Sequence, residues 1–264
     1  MKILFIGDVF SEAGRSILSL HLKDIKRKHA IDFTIINGEN IAHGNGINDK
    51  MYLKLLELGA DCITLGNHFL TKDATPRFLD EASKLVRPAN LHHSVKGQGS
   101  RVFDVNGTPV RVTNLLGRTF IKDLSPTNPF DKIDEILSNA TEKIHFIDFH
   151  AEATSEKLAL AWYLDGKVSA MIGTHTHVPT ADDRILPKGL AYQSDVGMTG
   201  PYNGIIGAKK DNVIEYTRTG IKTKFDVEPG PAQLNGVVIE IDNETGKALF
   251  IQRITINPDQ VLGL

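Results

Sequence analysis

Short apolar, β-branched runs recur along this chain, each ending in a glycine or a polar turn residue, and helical patterns separate the early ones. That alternation restricts the fold to the α/β class, with βαβ units around a largely parallel sheet. Ile3 to Ile6, Phe33 to Ile36 and Ile63 to Leu65 read as the first three strands. Between them, Ile17, Leu18, Leu20, Leu22 and Ile25 supply the apolar positions of one helix, followed by the basic run Lys26-Arg27-Lys28, read as a solvated helix end. Met51, Leu55 and Leu58 mark one face of the next helix, which Gly59 stops. A short helix is expected around Pro76 to Lys84. Arg101 to Val105 and Val110 to Leu115 then resemble a hairpin across Asn106-Gly107, where the sheet would turn antiparallel. Ile144 to Phe149, Ser155 to Leu164 and Val168 to Ile172 resume the strand–helix–strand rhythm. A Gly-rich loop from Gly197 to Gly207 precedes two strands, Gly236 to Ile241 and Ala248 to Ile256, joined across Asn243-Glu244-Thr245-Gly246. No internal repeat or low-complexity linker divides the 264 residues, so one domain over 1–264 is expected.

The chemistry lies in the polar residues just beyond each strand. Asp8 comes after the first, Glu39 and Asn40 after the second, and Asn67 and His68 after the third, with His150 and His175-Thr176-His177 later. In open α/β sheets, ligands bind beyond the carboxyl ends of the strands, so polar residues far apart in sequence converge on one crevice. Gly7, Gly38, Gly66 and Gly173 punctuate these transitions and permit close backbone approach. In an extended segment, His175 and His177 would place both imidazoles on one side, a geometry suited to two neighbouring metals. Each residue alone has an ordinary explanation: a strand-end Asp8 or Asn67 is commonly a turn or cap residue, and a lone His150 a hydrogen-bonded histidine. The joint pattern is what points to a metal site. His21, His29, His92 and His93 read as surface residues, His145 as an ordinary strand start, and His43 as solvent-exposed beyond the Glu39 turn.

Charge and cysteine content narrow the function. Lys and Arg number 30 against 32 Asp and Glu, a net charge of −2, so the chain lacks the strongly basic character of a binder of long nucleic acid. A small anionic substrate would need a local positive centre, such as a metal. Cys62 is the only cysteine, which excludes an intramolecular disulfide and a thiolate zinc cluster and leaves oxygen and imidazole ligands. Its apolar setting predicts a buried, inert thiol. Gly7 and Asp8 end the first apolar run well short of a secretory segment, and no apolar stretch approaches the roughly 18 residues of a membrane span. A cytoplasmic location without membrane contact is expected, and homo-oligomerisation is left open.

The motifs resemble the calcineurin-like metallophosphoesterase superfamily, whose pattern is Asp-x-His, Gly-Asp, Gly-Asn-His, a separate His, and Gly-His-x-His. Here they read Gly7-Asp8-Val9-Phe10, Gly38-Glu39-Asn40, Gly66-Asn67-His68, His150 and Gly173-Thr174-His175-Thr176-His177. Phe10 stands where the superfamily has a metal-binding His, and Glu39 replaces the bridging Asp. Both departures, with the stretches Asp148-Phe149-His150-Ala151-Glu152-Ala153 and Asp195-Val196-Gly197-Met198-Thr199-Gly200, are similar to the YmdB-like branch of that superfamily.

The resemblance implies a four-layer αββα sandwich of mixed sheets with metal ligands at strand ends. It also implies two metal ions, iron or manganese with zinc as a further option, and hydrolysis of small phosphodiesters such as 2′,3′-cyclic nucleotides. Carried over by position, Asp8, Glu39, Asn40 and His177 would hold one metal. Glu39, Asn67, His150 and His175 would hold the other, with Glu39 bridging and Asn40 replacing the missing His. The loaded site would be net positive, attract phosphate, and supply a bridging hydroxide for in-line attack. His68, directly after a ligand and so at the rim, is the candidate general acid for the leaving alkoxide. Three alternatives stand beside this reading: a phosphomonoesterase or 5′-nucleotidase, an amidohydrolase, whose His-x-His usually comes after the first strand, and a metal-binding regulatory protein without turnover.

Overall fold

The computed structural model describes residues 1–70, 76–121 and 124–261. The chain opens with β1 (Lys2–Ile6), α1 (Ser11–His29), β2 (Phe33–Asn37), α2 (Asp49–Leu58), β3 (Cys62–Thr64), α3 (Pro76–Glu81) and β4 (Leu85–Val86). It continues through β5 (Ser100–Val105), β6 (Thr108–Leu116), α4 (Pro129–Leu137), β7 (Ile144–His150), α5 (Thr154–Leu164) and β8 (Ala170–Thr174). The last part holds β9 (Arg184–Ile185), β10 (Ala191–Gln193), β11 (Gly200–Pro201), α6 (Lys210–Thr219), β12 (Ala232–Ile241), β13 (Ala248–Ile256) and α7 (Pro258–Val261).

Among the described residues the strands form two sheets, one of seven and one of six. In the first, β1, β2, β3 and β4 run parallel in that order, and β12 closes against β1 antiparallel, carrying β11 and β13 on its other side. In the second, β6, β7, β8 and β10 are parallel neighbours flanked by antiparallel β5 and β9. The predicted hairpin is β5–β6, with Asn106 and Gly107 both at positive φ as a tight hairpin turn requires.

Side-chain alternation explains the layers. Ile3 and Phe5 of β1 face inward with Phe146, Ile172, Val237 and Ile239, forming an apolar layer between the sheets. Leu4 and Ile6 face outward to Leu18, Leu22 and Leu55 of α1 and α2. On the opposite outer face, Ile147, Phe149 and Tyr192 pack against Ile133, Leu160 and Leu164 of α4 and α5. The order is helices, sheet, sheet, helices, the four-layer sandwich that the resemblance implied.

Several details differ from the expectation. Strand β8 begins two residues later than Val168, because Asp165 accepts the Lys188 and Leu190 N–H groups and holds a turn there. The stretch after the Gly-rich loop contains α6, which has no buried side chain and therefore no apolar stripe to read. Lys26 is not simply solvated: its ammonium donates to the Gly59 carbonyl at 2.9 Å. His145 is buried and bonds Thr113 Oγ1 at 2.8 Å. Cys62 is buried as expected, and burial pushes its thiol well up. No helix among the described residues is long and apolar enough to cross a membrane.

Candidate metal centre

The residues singled out in the sequence meet where the two sheets present their carboxyl ends. Asp8 and Glu39 are buried beyond β1 and β2, and His150 is the buried last residue of β7. Close packing demands the glycines: a Cβ on Gly66 would lie 2.0 Å from Glu39 Oε2 and 2.4 Å from His150 Nε2, and one on Gly173 1.8 Å from the Ser194 carbonyl oxygen. Around His150 Nε2 lie Asn67 Oδ1 at 2.9 Å, His175 Nδ1 at 3.0 Å and Glu39 Oε1 at 3.3 Å. Two triads, Glu39–His150–His175 and Asp8–Glu39–His177, each gather one ligand atom per residue within 4.8 Å, and Glu39 belongs to both.

His175 and His177 are not extended. They adopt φ values of 106° and 65°, and these left-handed turns send one ring to each triad. Such backbone strain persists only where the surroundings enforce it. Here Asp8 Oδ2 accepts the His175 N–H at 3.1 Å and Asp195 Oδ2 accepts the Thr176 N–H at 2.9 Å.

Each of the three histidines has its outward nitrogen against an acceptor. His150 Nδ1 lies 2.9 Å from Thr174 Oγ1, whose own proton goes to Asp148 Oδ1 at 2.7 Å. His175 Nε2 meets Glu152 Oε2 at 2.9 Å, and His177 Nδ1 meets the Ile206 carbonyl at 2.9 Å. An imidazole donating through one nitrogen offers the other as a lone pair, so His150 Nε2, His175 Nδ1 and His177 Nε2 face the centre as ligand atoms. Sequence reasoning gives Asp148, Thr174, Glu152 and Ile206 no role. Asp148 and Glu152 flank His150 at two-residue spacing, and Thr174 directly precedes His175, which is the signal that could have found them.

The electrostatics call for a cation. Asp8 is fully buried and its Oδ1 has no hydrogen-bond partner, a situation that ordinarily costs several kcal/mol unless a positive group compensates. Burial raises the Asp8 carboxyl. Burial opposes ionisation of Glu39 too, but His150 and His68 hold it well below the usual carboxylate range. Burial lowers His150, yet the surrounding Glu39, Asp8 and Asp148 lift it to about 9. Partial burial and the neighbouring His150 lower His175 to about 3. Asp148 is pushed up to about 6 by burial, although Thr64, Thr174 and Asn37 all donate to it. A crevice that protonates a buried histidine and leaves a buried carboxylate oxygen without a hydrogen bond fits metal ions on mixed oxygen and nitrogen donors.

Asn40 and His68 sit beside the triads. The Asn40 amide donates to Glu39 Oε1 at 2.8 Å and faces His177 Nε2 at 3.1 Å, while its oxygen meets His68 Nδ1 at 3.1 Å. In this orientation Asn40 links Glu39 to His68; a half-turn of the carboxamide would present its oxygen to the second triad. His68 has a partly exposed side chain and its imidazole is raised by the Glu39 hydrogen bond against partial burial, so it combines a rim position with a proton to give. Phe10 packs edge-on against His177 with ring centroids 5.7 Å apart, and Gly44 and Gly207 leave room for its ring. It fills with hydrocarbon the place where the superfamily pattern has an imidazole.

Fold and site together define the metallophosphoesterase class. A structure described as a putative 5′-nucleotidase from Staphylococcus aureus has the same fold over 99% of this chain and 57% of its own, with a TM-score of 0.57 at 14% identity. More narrowly, residues 4–254 match the model of the YmdB-like proteins, and the chain belongs to that family. It is 50% identical over 263 residues to the 2′,3′-cyclic-nucleotide 2′-phosphodiesterase of Bacillus subtilis strain 168, covering 99% of each chain. A crystal structure described as a novel phosphatase from Mycoplasma pneumoniae superimposes with a TM-score of 0.93 at 41% identity, covering 100% of this chain and 97% of that one.

Proposed function

We propose that this protein, as one domain over residues 1–264, is a dinuclear metal-dependent phosphodiesterase acting on small phosphodiesters, 2′,3′-cyclic nucleotides among them. The observation that carries the reading is the sharing of Glu39 between two ligand triads. The phosphodiesterase activity named for the 50% identical Bacillus subtilis relative supports the choice of substrate. Asp8, Glu39, His177 and a turned Asn40 would hold one ion; Glu39, Asn67, His150 and His175 would hold the other. Iron, manganese and zinc all suit these donors. When bound, such ions supply Lewis acidity and a hydroxide at neutral pH.

The chain's own residues do the rest. Thr174, Glu152 and the Ile206 carbonyl hold three imidazoles in the tautomer that donates a lone pair inward. His68 sits at the rim with its imidazole against Glu39 and Asn40. From there it delivers the proton that the departing sugar oxygen requires, a contribution of about 10²–10⁴ in rate.

The test uses metal-reconstituted wild type, Glu39→Gln and His68→Ala on 2′,3′-cyclic AMP, a generic phosphodiester and a phosphomonoester. The proposal expects turnover of the diesters, loss of both metals' occupancy and of activity in Glu39→Gln, and full metal content with poor turnover in His68→Ala. Preference for the monoester would instead make the protein a phosphomonoesterase. Two bound metals with no turnover of any of the three would assign it a regulatory role.

A further inference from the structure

The loop after β6 has features that the metal centre does not use. Leu116, the last residue of β6, is paired in register with His150. Gly117 N–H donates to the His150 carbonyl at 2.9 Å, so the loop starts beside a ligand. Glu156, in the first turn of α5, then takes both of the next two amides: Arg118 N–H at 2.8 Å and Thr119 N–H at 3.2 Å. Ile121 anchors the far end in the same buried cluster as Phe69, the residue next to His68. The loop is thus tied at one end to a ligand strand and at the other into the apolar cluster that also holds the chain neighbour of the proposed acid.

Its display between those ties is unusual for a rigid turn. Phe120 is 77% exposed and has φ of 65°, a left-handed backbone that a bulky aromatic rarely adopts. Arg118 is exposed, and its guanidinium has no hydrogen bond or ion pair among the described residues. An outward aromatic face and an available cation on a fixed loop match the two ends of a nucleotide: a base to stack and a phosphate to pair.

We infer that the Gly117–Phe120 loop is the nucleoside-recognition element of this site, with Phe120 stacking on the base and Arg118 facing the phosphodiester. This assignment rests on the proposed hydrolysis in one respect. In a 2′,3′-cyclic phosphate the leaving oxygen stays on the same ribose, so the nucleoside lies on the side of the group that protonates it. That side is the His68 side, and the inference places the loop there.

The experiment compares 2′,3′-cyclic AMP with the base-free methyl riboside 2,3-cyclic phosphate on wild type, Phe120→Ala, Phe120→Trp and Arg118→Ala. Phe120→Ala raises KM for the cyclic nucleotide about tenfold, within the range for base stacking on an aromatic ring, with kcat unchanged. It leaves the base-free substrate unaffected, and Phe120→Trp restores the nucleotide KM. Arg118→Ala raises KM for both substrates several-fold, and the effect fades as salt rises. Equal losses on both substrates in Phe120→Ala, no loss on either, or a change only in oligomeric mass by light scattering would overturn the inference. Calorimetric binding of 3′-AMP to wild type and Phe120→Ala separates the two claims. Phe120-dependent binding by a protein that hydrolyses neither substrate would refute the hydrolytic reading and keep this one; equal binding to both proteins would refute this one alone.

Discussion

Lys157 offers the most demanding test of how this site is held together. Its ammonium, on α5, lies 2.8 Å from Asp195 Oδ2, and both side chains are buried. Asp195 also accepts the Thr176 N–H at 2.9 Å and the Gly197 N–H at 2.9 Å, so one carboxylate fixes the turn between His175 and His177 and the loop beyond β10. Lys157→Met keeps an unbranched apolar stem and deletes the charge, leaving a buried carboxylate with two backbone donors. Removing one partner of a buried pair costs about 3–5 kcal/mol. The two remaining donors place the expected loss near the lower end, about 3 kcal/mol, which at about 2–4 °C per kcal/mol in a chain of this size lowers Tm by about 6–12 °C. Because the strained turn at Thr176 loses part of its restraint, metal affinity falls as well. Scanning calorimetry on metal-free and metal-loaded protein, with metal content by mass spectrometry, reads both effects. Lys157→Met with Asp195→Asn removes both charges, and the double variant should be more stable than the sum of the single losses predicts by about 1–2 kcal/mol. A single variant within about 1 kcal/mol of wild type, or strictly additive losses, would refute the reasoning.

Hydrogen bonding and burial give two further outcomes to measure. Thr174→Val removes the acceptor for His150 Nδ1 while nearly preserving shape, so metal affinity drops by about 10–100-fold, the usual effect of deleting a group that orients a ligand. Equilibrium dialysis against a competing chelator measures it, and unchanged affinity would show that the Asp148–Thr174–His150 chain does not set the tautomer. His145, at the opposite end of β7 from His150 and bonded to Thr113, is held down to about 3 by burial, with nearby Arg111 lowering it further. The native state keeps it neutral while the unfolded chain protonates it below its ordinary value near 6.5, so the unfolded state binds more protons and stability falls as pH drops from about 6.5 toward 3. Between about pH 7 and about pH 5 the loss from this one group is about 2 kcal/mol. Urea unfolding of wild type and His145→Gln at the two pH values checks it: the variant should lose less stability on acidification, and an equal loss would remove His145 from the account.

The parts of the fold carried by periodic patterns were legible in the sequence. The buried strands β1, β2 and β7 and the stripe of α1 come directly from Ile3–Ile6, Phe33–Ile36, Ile144–Phe149 and Ile17–Ile25. The hairpin was legible from Asn106-Gly107 because that turn chemistry is local. The second sheet was not, since residue alternation shows that a strand is buried on both faces without showing which strand lies opposite. It entered through the resemblance alone. Helix α4 carries a readable signal that the strand-by-strand reading does not use, an Asn128 cap ahead of Pro129 with Ile133 buried four residues on. The site residues at strand ends were legible because topology gathers them. The turned backbone at His175 and His177 was not, because neither is a glycine and nothing local announces positive φ.

Asp148 was hidden for a deeper reason: it serves contacts between the sheets as well as within one. Asp8, Glu39 and Asn67 come from the first sheet and His150, His175 and His177 from the second, so the geometry of the proposed metal site depends on how the sheets are registered against each other. Asp148 fixes that registration. From β7 it accepts Asn37 Nδ2 of β2 at 2.9 Å and Thr64 Oγ1 of β3 at 2.5 Å, while its other oxygen takes the Thr174 hydroxyl that orients His150. One buried carboxylate thus clamps the two sheets beside the proposed ligands and, through Thr174, orients His150 with the same group. An exposed carboxylate could do neither, because water would satisfy its oxygens. Burial drives the carboxyl upward, and the neighbouring His150 and then its three protein donors bring it back toward the ionised form, which is the condition for holding both the sheets and the histidine in place.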